Sequence, residues 1–177
     1  MLSNSTPANT NYLDSSRFRF VVSKLPNVNF FLQSTTLPGL NFGVAPYSTP
    51  FLDVDLPGDK ISWNDLVVSF KADEDLRNWE EIFAWIVAMG HPQNLEQFKE
   101  ILESSSFDHR PGKGGLYSDA SLTILTNKFN PMMQFNFVDC FPVGLSEIPV
   151  GVTDGDIVYP NITATFRYSY YTIKRLK

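Results

Sequence analysis

The residues able to do chemistry are few in this chain, and none stand in a catalytic order. The glycine-rich run Gly112-Lys-Gly-Gly115 lacks the spacing of a phosphate-binding loop, a Ser or Thr directly after the lysine, and a helix to follow. It reads as a flexible loop tip. His91 and His109 fall in a helix-ending turn and a loop, with no second ligand at metal spacing. Asp73-Glu-Asp75 matches no calcium-loop pattern, and a negatively charged helix N-terminus accounts for it. Asp108 and His109 have no nucleophile to serve, because neither Cys140 nor any Ser lies in a recognisable elbow. The chain therefore reads as non-enzymatic, with no catalytic, cofactor-binding or metal-ligating residue assigned.

Composition narrows the class further. A chain of 177 residues is one domain's worth and can bury a real core. Charged residues make up 19 %, below the usual quarter or so, while aromatics reach 14 % with fifteen Phe. Two readings fit: a large aromatic core, or a surface partly covered by partner subunits. A net charge of −5 gives no sign of electrostatic capture of a nucleic-acid backbone. The single Cys140 excludes an internal disulfide framework and reads as a small buried hydrophobe. No apolar run reaches the roughly 18 residues of a membrane span, and the N-terminus lacks the basic-then-apolar order of a signal peptide. A reducing interior is expected, and the sequons at Asn4 and Asn161 read as chance.

The elements that would position any site are organised around the C-terminal stretch Asn161–Ile173. Ile162, Ala164, Phe166, Tyr168 and Tyr170 alternate with Thr163, Thr165, Arg167, Ser169 and Tyr171, the period of a half-buried strand. Read as one strand, it would reach roughly 40 Å. Residues 1–16 read as a flexible N-terminal arm and 17–177 as a single domain. In that domain, Arg17–Lys24 alternates, Pro26-Asn27 turns, and Val28–Thr36 completes a hairpin. The connection over 40–56 is extended, with Pro46, Pro50 and Pro57 discouraging regular pairing, and it closes at Pro57-Gly58. Ile61–Lys71 reads as a strand with a bulge at Asn64-Asp65, where its apolar phase shifts.

A helix follows, with Leu76, Trp79, Ile82, Phe83 and Ile86 as its buried face and Gly90 and Pro92 at its end. A shorter one begins after Asn94 and buries Leu95, Phe98, Ile101 and Leu102, ahead of a loop over 104–118. Ala120–Asn127 and Met133–Phe141 form a hairpin around Asn130-Pro131, followed by Pro142-Val-Gly144 on the way to the final strand. A short strand near Ser146–Val150 and a turn at Thr153-Asp-Gly-Asp156 precede the final strand. Strands, two helices, then strands describe an α+β fold that is mainly β.

On these residues a resemblance appears. Phe18-Arg-Phe20, Lys24-Leu-Pro-Asn-Val28, Phe30-Phe31, Gln33 and Leu37-Pro-Gly39 resemble proteins of the contractile-tail (T4-like) bacteriophage tail-tube superfamily. Pro57-Gly-Asp59, Phe70 with Asp73-Glu-Asp75, Asp139-Cys-Phe-Pro142 and the closing aromatic strand extend the similarity from Arg17 to Ile173. Within it, the chain looks most like the members that complete the tail, stabilise the sheath and terminate the tube, with the major tail tube subunit as rival.

The resemblance implies a tail-tube-like antiparallel β-sandwich or barrel with one or two flanking helices, assembled as a hexameric ring. It implies a virion structural protein, assembled in the host cytoplasm. Its partners would be adjacent tail tube rings and tail sheath or neck proteins, without a membrane. Genomic DNA would pass through the channel without specific binding, past an acidic or neutral lumen. The basic end Lys174-Arg175 with Lys177 departs from that picture and is expected to face elsewhere. Two alternatives carry other chemistry. One is a carbohydrate-binding β-sandwich module using Tyr168, Tyr170 and Tyr171; the other is a small hydrolase.

Overall fold

The structure is a computed structural model and describes residues 11–90, 116–151 and 159–176. Its organising strand is β7 (Pro131–Leu145), which serves two sheets in turn. The first half of β7 pairs with β6 (Ser118–Leu125) on one side and β9 (Tyr170–Arg175) on the other. The second half pairs with β8 (Asn161–Arg167). β1 (Phe18–Val22) extends the first sheet beyond β6, giving a wall ordered β1-β6-β7-β9. β5 (Leu66–Lys71) and β2 (Leu32–Thr35) extend the second beyond β8, giving β7-β8-β5-β2. The result is an antiparallel β-sandwich with helices at its side, α+β and mainly β as the sequence implies.

The change of partner happens at one residue. Val138 and Asp139 of β7 stand opposite Asp119 alone, because Ser118 pairs with Cys140 and Ala120 with Phe137. Asp139 takes φ 57°, the left-handed conformation that Asp tolerates better than most residues. Alternation on both walls then points apolar side chains inward. Phe20, Val22, Ala120, Leu122, Phe135 and Phe137 face Leu66, Val68, Phe70, Ile162, Ala164 and Phe166, and all are buried. A fully buried Phe such as Phe70 or Phe137 contributes on the order of 2–3 kcal/mol.

Several expectations need correcting. The C-terminal run is two strands rather than one. At Tyr168-Ser169 the chain leaves the second wall for the first, and Ser169 N–H donates to the Val138 carbonyl at 2.9 Å beside the β7 kink. The switch resets the alternation: Tyr168 stays in the core, Tyr170 is 46 % exposed, and Tyr171 turns inward. Val28–Thr36 is no hairpin partner of β1. Pro26–Phe30 forms a short helix, α1, in which proline is suited to the first turn, and β2 pairs with β5 instead. The reason is Asn29, whose side chain accepts from Val22 N–H at 2.9 Å and donates to Val22 C=O at 3.0 Å. That amide occupies the edge of β1 where a returning strand would pair.

Residues 40–56 pair after all. β3 (Leu40–Ser48) and β4 (Asp53–Trp63) form a separate two-stranded ladder. Pro46 pairs with Asp55 and Pro57 with Val44, so both prolines share one phase of that ladder. Each strand also keeps an open edge, where a missing donor costs little. The turn lies at Thr49–Leu52, not at Pro57-Gly58, which sits inside β4. The phase shift at Asn64-Asp65 is real but marks the boundary between β4 and β5 rather than a bulge in one strand. At the other end of the chain, β7 runs through Pro142 to Leu145 with a register shift, and residues 146–150 form no strand.

The helix α2 (Arg77–Gly90) is present, but its buried face is Asn78, Ile82, Trp85 and Ala88. Leu76 lies outside it at φ 56° and is 41 % exposed, so it does not share the helical phase. Asn78 sets the rotation: buried, it donates from Nδ2 to Lys71 C=O at 2.7 Å. Trp79 is half-buried and stacks on Phe83, which is 46 % exposed. From α2, Glu81 accepts from the Asn27 side chain at 2.6 Å and faces the first N–H groups of α1, which has no side-chain cap of its own. Burial pushes the Glu81 carboxyl above its usual range. The helix expected over 95–102, the 104–115 part of the loop and the turn at 153–156 lie outside the described residues.

Trp85 therefore takes the place that the sequence gives to Trp79. Trp85→Ala should cost about 3–5 kcal/mol in urea unfolding, and Trp79→Ala clearly less. Equal losses for the two variants would show that both rings are core.

Candidate subunit interface

The sequence-nominated chemical residues do not converge. Asp75 is exposed and pairs with Arg77 at 3.3 Å, while Asp73 is half-buried ahead of α2. Cys140 is buried, and burial with Asp119 nearby pushes its thiol up to about 12. His91, Asp108, His109 and Gly112–Gly115 lie outside the described residues. Among the described residues no three His, Cys, Asp or Glu side chains could hold a metal ion. The aromatic platform imagined for a glycan is absent too. Tyr168 and Tyr171 pack inward on Phe137 at 5.0 and 5.5 Å, leaving Tyr170 alone outside.

What the surface does offer is apolar area and open backbone. Every residue of β3 and nearly every residue of β4 is exposed. At about 3.3 Å per residue, β4 reaches roughly 35 Å, so the hairpin stands off the sandwich as an arm. Cross-strand pairing sorts its faces. Ala45, Tyr47, Val54 and Leu56 share one side, and Pro46, Ser48, Asp53 and Asp55 the other. Phe51 tops the arm at 98 % exposed. Contiguous exposed apolar surface of this kind marks a contact site in a folded protein.

The root of the arm is fixed to the core. Trp63 meets Tyr171 edge-on at 4.7 Å, Tyr168 Oη–H donates to Asn64 C=O at 2.8 Å, and Asn64 N–H donates to Gly39 C=O at 3.1 Å. Midway, Gly43 and Gly58 approach closely where the register slips between Phe42 and Val44. A Cβ on Gly58 would lie 2.6 Å from the Gly43 carbonyl oxygen.

The first wall carries the second feature: β1 and β9 are both edge strands. Leu176 N–H donates to Met132 C=O, which sets the phase of the β7–β9 ladder. The backbone groups of Tyr171, Ile173 and Arg175 therefore point to the open side. On β1 the same reasoning from Leu125 N–H donating to Arg17 C=O leaves Phe18, Phe20 and Val22 facing outward. Asn29 closes Val22, so Phe18 and Phe20 remain.

The comparisons with known proteins agree with this geometry. The family described as phage tail tube protein matches residues 5–174. The chain belongs to the phage tail tube protein family. No curated protein matches the sequence. Among solved structures, the chain is similar to the tube-terminating cap of the anti-feeding prophage, with 13 % identity and a TM-score of 0.60. That match covers 99 % of this chain and 100 % of the other. It is also similar to a chain of the anti-feeding prophage baseplate, with 14 % identity, TM-score 0.57, and 94 % and 97 % covered. A chain of the sheath–tube complex of an extracellular contractile injection system, PVC, gives 12 % identity, TM-score 0.56 and 94 % of each chain. At these identities the likeness is one of fold. The tail tube family makes the role of this chain structural and tail-related, in line with the absence of a catalytic order in its sequence.

The hairpin arm is what reading the residues missed. Its signal was present in Leu40-Asn-Phe-Gly-Val44 and Asp53-Val-Asp-Leu56, which alternate around Thr49-Pro-Phe-Leu52, but the prolines outweighed it.

Two predictions concern the arm. Gly58→Ala sets a Cβ against backbone that cannot move aside cheaply. It should speed hydrogen exchange across 40–63 and leave the sandwich melting within about 2 °C; unchanged exchange would show that the close approach is dispensable. At the root, burial first, then Tyr171, Asp65 and Cys140, push the Tyr168 phenol from 10.0 up to about 12. A raised folded pKa favours the protonated phenol, so this contribution is whole below about pH 10 and lost as pH climbs towards 12. Melting measured across that window should fall in the native protein and fall less in Tyr168→Phe. Parallel curves would place the alkaline loss elsewhere.

Proposed function

We propose that this chain forms a hexameric ring of a contractile phage tail tube, with its β1-β6-β7-β9 wall contributing to the channel lining. The observation that carries the reading is the pair of open edges on that one wall. Unpaired strand edges invite pairing with another chain, and here they lie on opposite sides of the same sheet. Joining β9 of one copy to β1 of the next is a heterologous contact, which closes into a ring when the rotation per copy allows. The exposed arm then supplies the contact to an adjacent ring or to sheath, and genomic DNA passes through the channel. In this role the chain is structural and carries out no catalysis.

We assign the ring to the end of the tube rather than its length. In support, the fold likeness to a tube-terminating cap spans essentially all of both chains. The N-terminal arm would supply a face unlike a tube ring. A repeating tube subunit is the second reading, favoured by the likeness to the sheath–tube complex.

Electron micrographs and mass photometry of the purified protein should show single rings and no long tubes. Extended tubes would promote the repeating subunit, and a monomer at every concentration would remove the ring reading. Ile173→Pro takes a donor from the open side of β9 while sparing the β7 ladder, so it should abolish rings and leave the monomer folded. Rings that survive this substitution would rule out the β9 seam.

A further inference from the structure

The outward face of the first wall carries a row of side chains that no single stretch of sequence reveals. Register places Arg19 beside Thr123, Thr123 beside Gln134, and Gln134 beside Lys174. Phe20, Leu122 and Phe135, next in chain to the first three, point into the core, as does Tyr171, three residues before Lys174 in the alternation of β9, so these four point away from it. Arg19 and Lys174 are exposed, and among the described residues neither side chain has an ion-pair or hydrogen-bond partner. Arg17, one row further out, is already committed: it holds Asp14 at 2.7 Å and covers the Phe129 ring at 4.2 Å. On the other side lies the neutral row Val21, Ser121, Asn136 and Thr172. Two carboxylates flank the row on this face: Asp14, already held by Arg17, and Asp119 beyond the neutral row.

We infer that this row is a contact for the phosphate backbone of double-stranded DNA. All four polar side chains can donate hydrogen bonds, and no carboxylate stands among them. With strands about 4.8 Å apart, Arg19 and Lys174 are separated by roughly 14 Å at the backbone. Standing upright from the sheet, the two cations meet anions at separate points, so the matching ligand is extended and carries charge at intervals. The neighbouring row is small and flat, with nothing projecting to read a base edge, so contact is limited to phosphates and is independent of sequence. Among the described residues Tyr170 is the aromatic that the strands of this wall turn outward, with Phe129 covered by Arg17 at the margin, too few for the successive stacking that captures single strands. The row deepens the proposed ring by giving its channel face a weak hold on the duplex, repeated once per copy. On that reading the lumen would not be uniformly acidic or neutral: the chain is acidic as a whole, yet this level of the wall is basic.

The test is fluorescence anisotropy of a labelled 30-base-pair duplex with the native protein and with R19T/K174T. Salt should be stepped from about 50 to 200 mM, where a few phosphate contacts lose much of their affinity. Mass photometry of the same samples reports ring or monomer separately, so loss of the ring and loss of the row are told apart. The native protein should bind at low salt, alike for AT-rich and GC-rich duplexes. R19T/K174T should bind at least tenfold more weakly with a shallower salt slope, and R19K should retain binding because a point charge suffices. Native-like binding by R19T/K174T with unchanged melting would overturn the proposal. So would tighter binding to polyglutamate than to the duplex, which would make the ligand an acidic polypeptide.

Discussion

The structure depends on a single change of partner along β7. Up to Val138 that strand is the middle of one wall; beyond Asp139 it is the edge of the other. A continuous flat strand could not do both, because its two halves must face different neighbours while keeping Phe135, Phe137 and Pro142 buried. The extra residue opposite Asp119 supplies the bend, and the positive φ of Asp139 is the local cost of it. The crossing of the C-terminal chain at Tyr168-Ser169 happens at the same level, with Ser169 bonded to both Val138 and Asp139. The two irregularities support one another.

This coupling explains which parts of the fold were legible. Alternation sorted the faces of β8 correctly, setting Ile162, Ala164 and Phe166 together, because burial on one face imposes a period of two that needs no knowledge of the partner strand. It could not say where a strand changes sheets. In Asn161–Ile173 the period runs on in the sequence past the break, so the outward Tyr170 reads as core. The helix failed for a different reason. Leu76 and Phe83 fit an apolar stripe as well as Ile82 does, and only the buried amide of Asn78 decides which stripe turns inward. A polar residue in a core position is invisible to a rule built on hydrophobicity.

The interface was harder to see than the core. Beyond its root, an arm that packs on nothing among the described residues shows no contrast between a buried and an exposed side, so apolar residues occur on both faces and prolines are tolerated. The basic row is legible only after pairing, since Arg19 and Lys174 come from opposite ends of the chain. Whole-chain charge, at −5, gave no hint of it. Family resemblance was specific about architecture here because it rested on structural residues such as Leu37-Pro-Gly39 and Asp73-Glu-Asp75, and for the same reason it was silent about local charge.

Asn29 sets a dimension as well as an edge. By filling the pairing groups of Val22, it leaves β1 fewer free backbone positions than β9 offers, so in the proposed ring a neighbour could not slide upward along the strand. The permitted offset between adjacent copies would thereby be limited at each seam. In a closed sheet the accumulated offset is the shear, and shear with strand number fixes both the tilt of the strands and the width of the bore. One side-chain amide, repeated around the circle, would thus act as a gauge for the diameter of the channel.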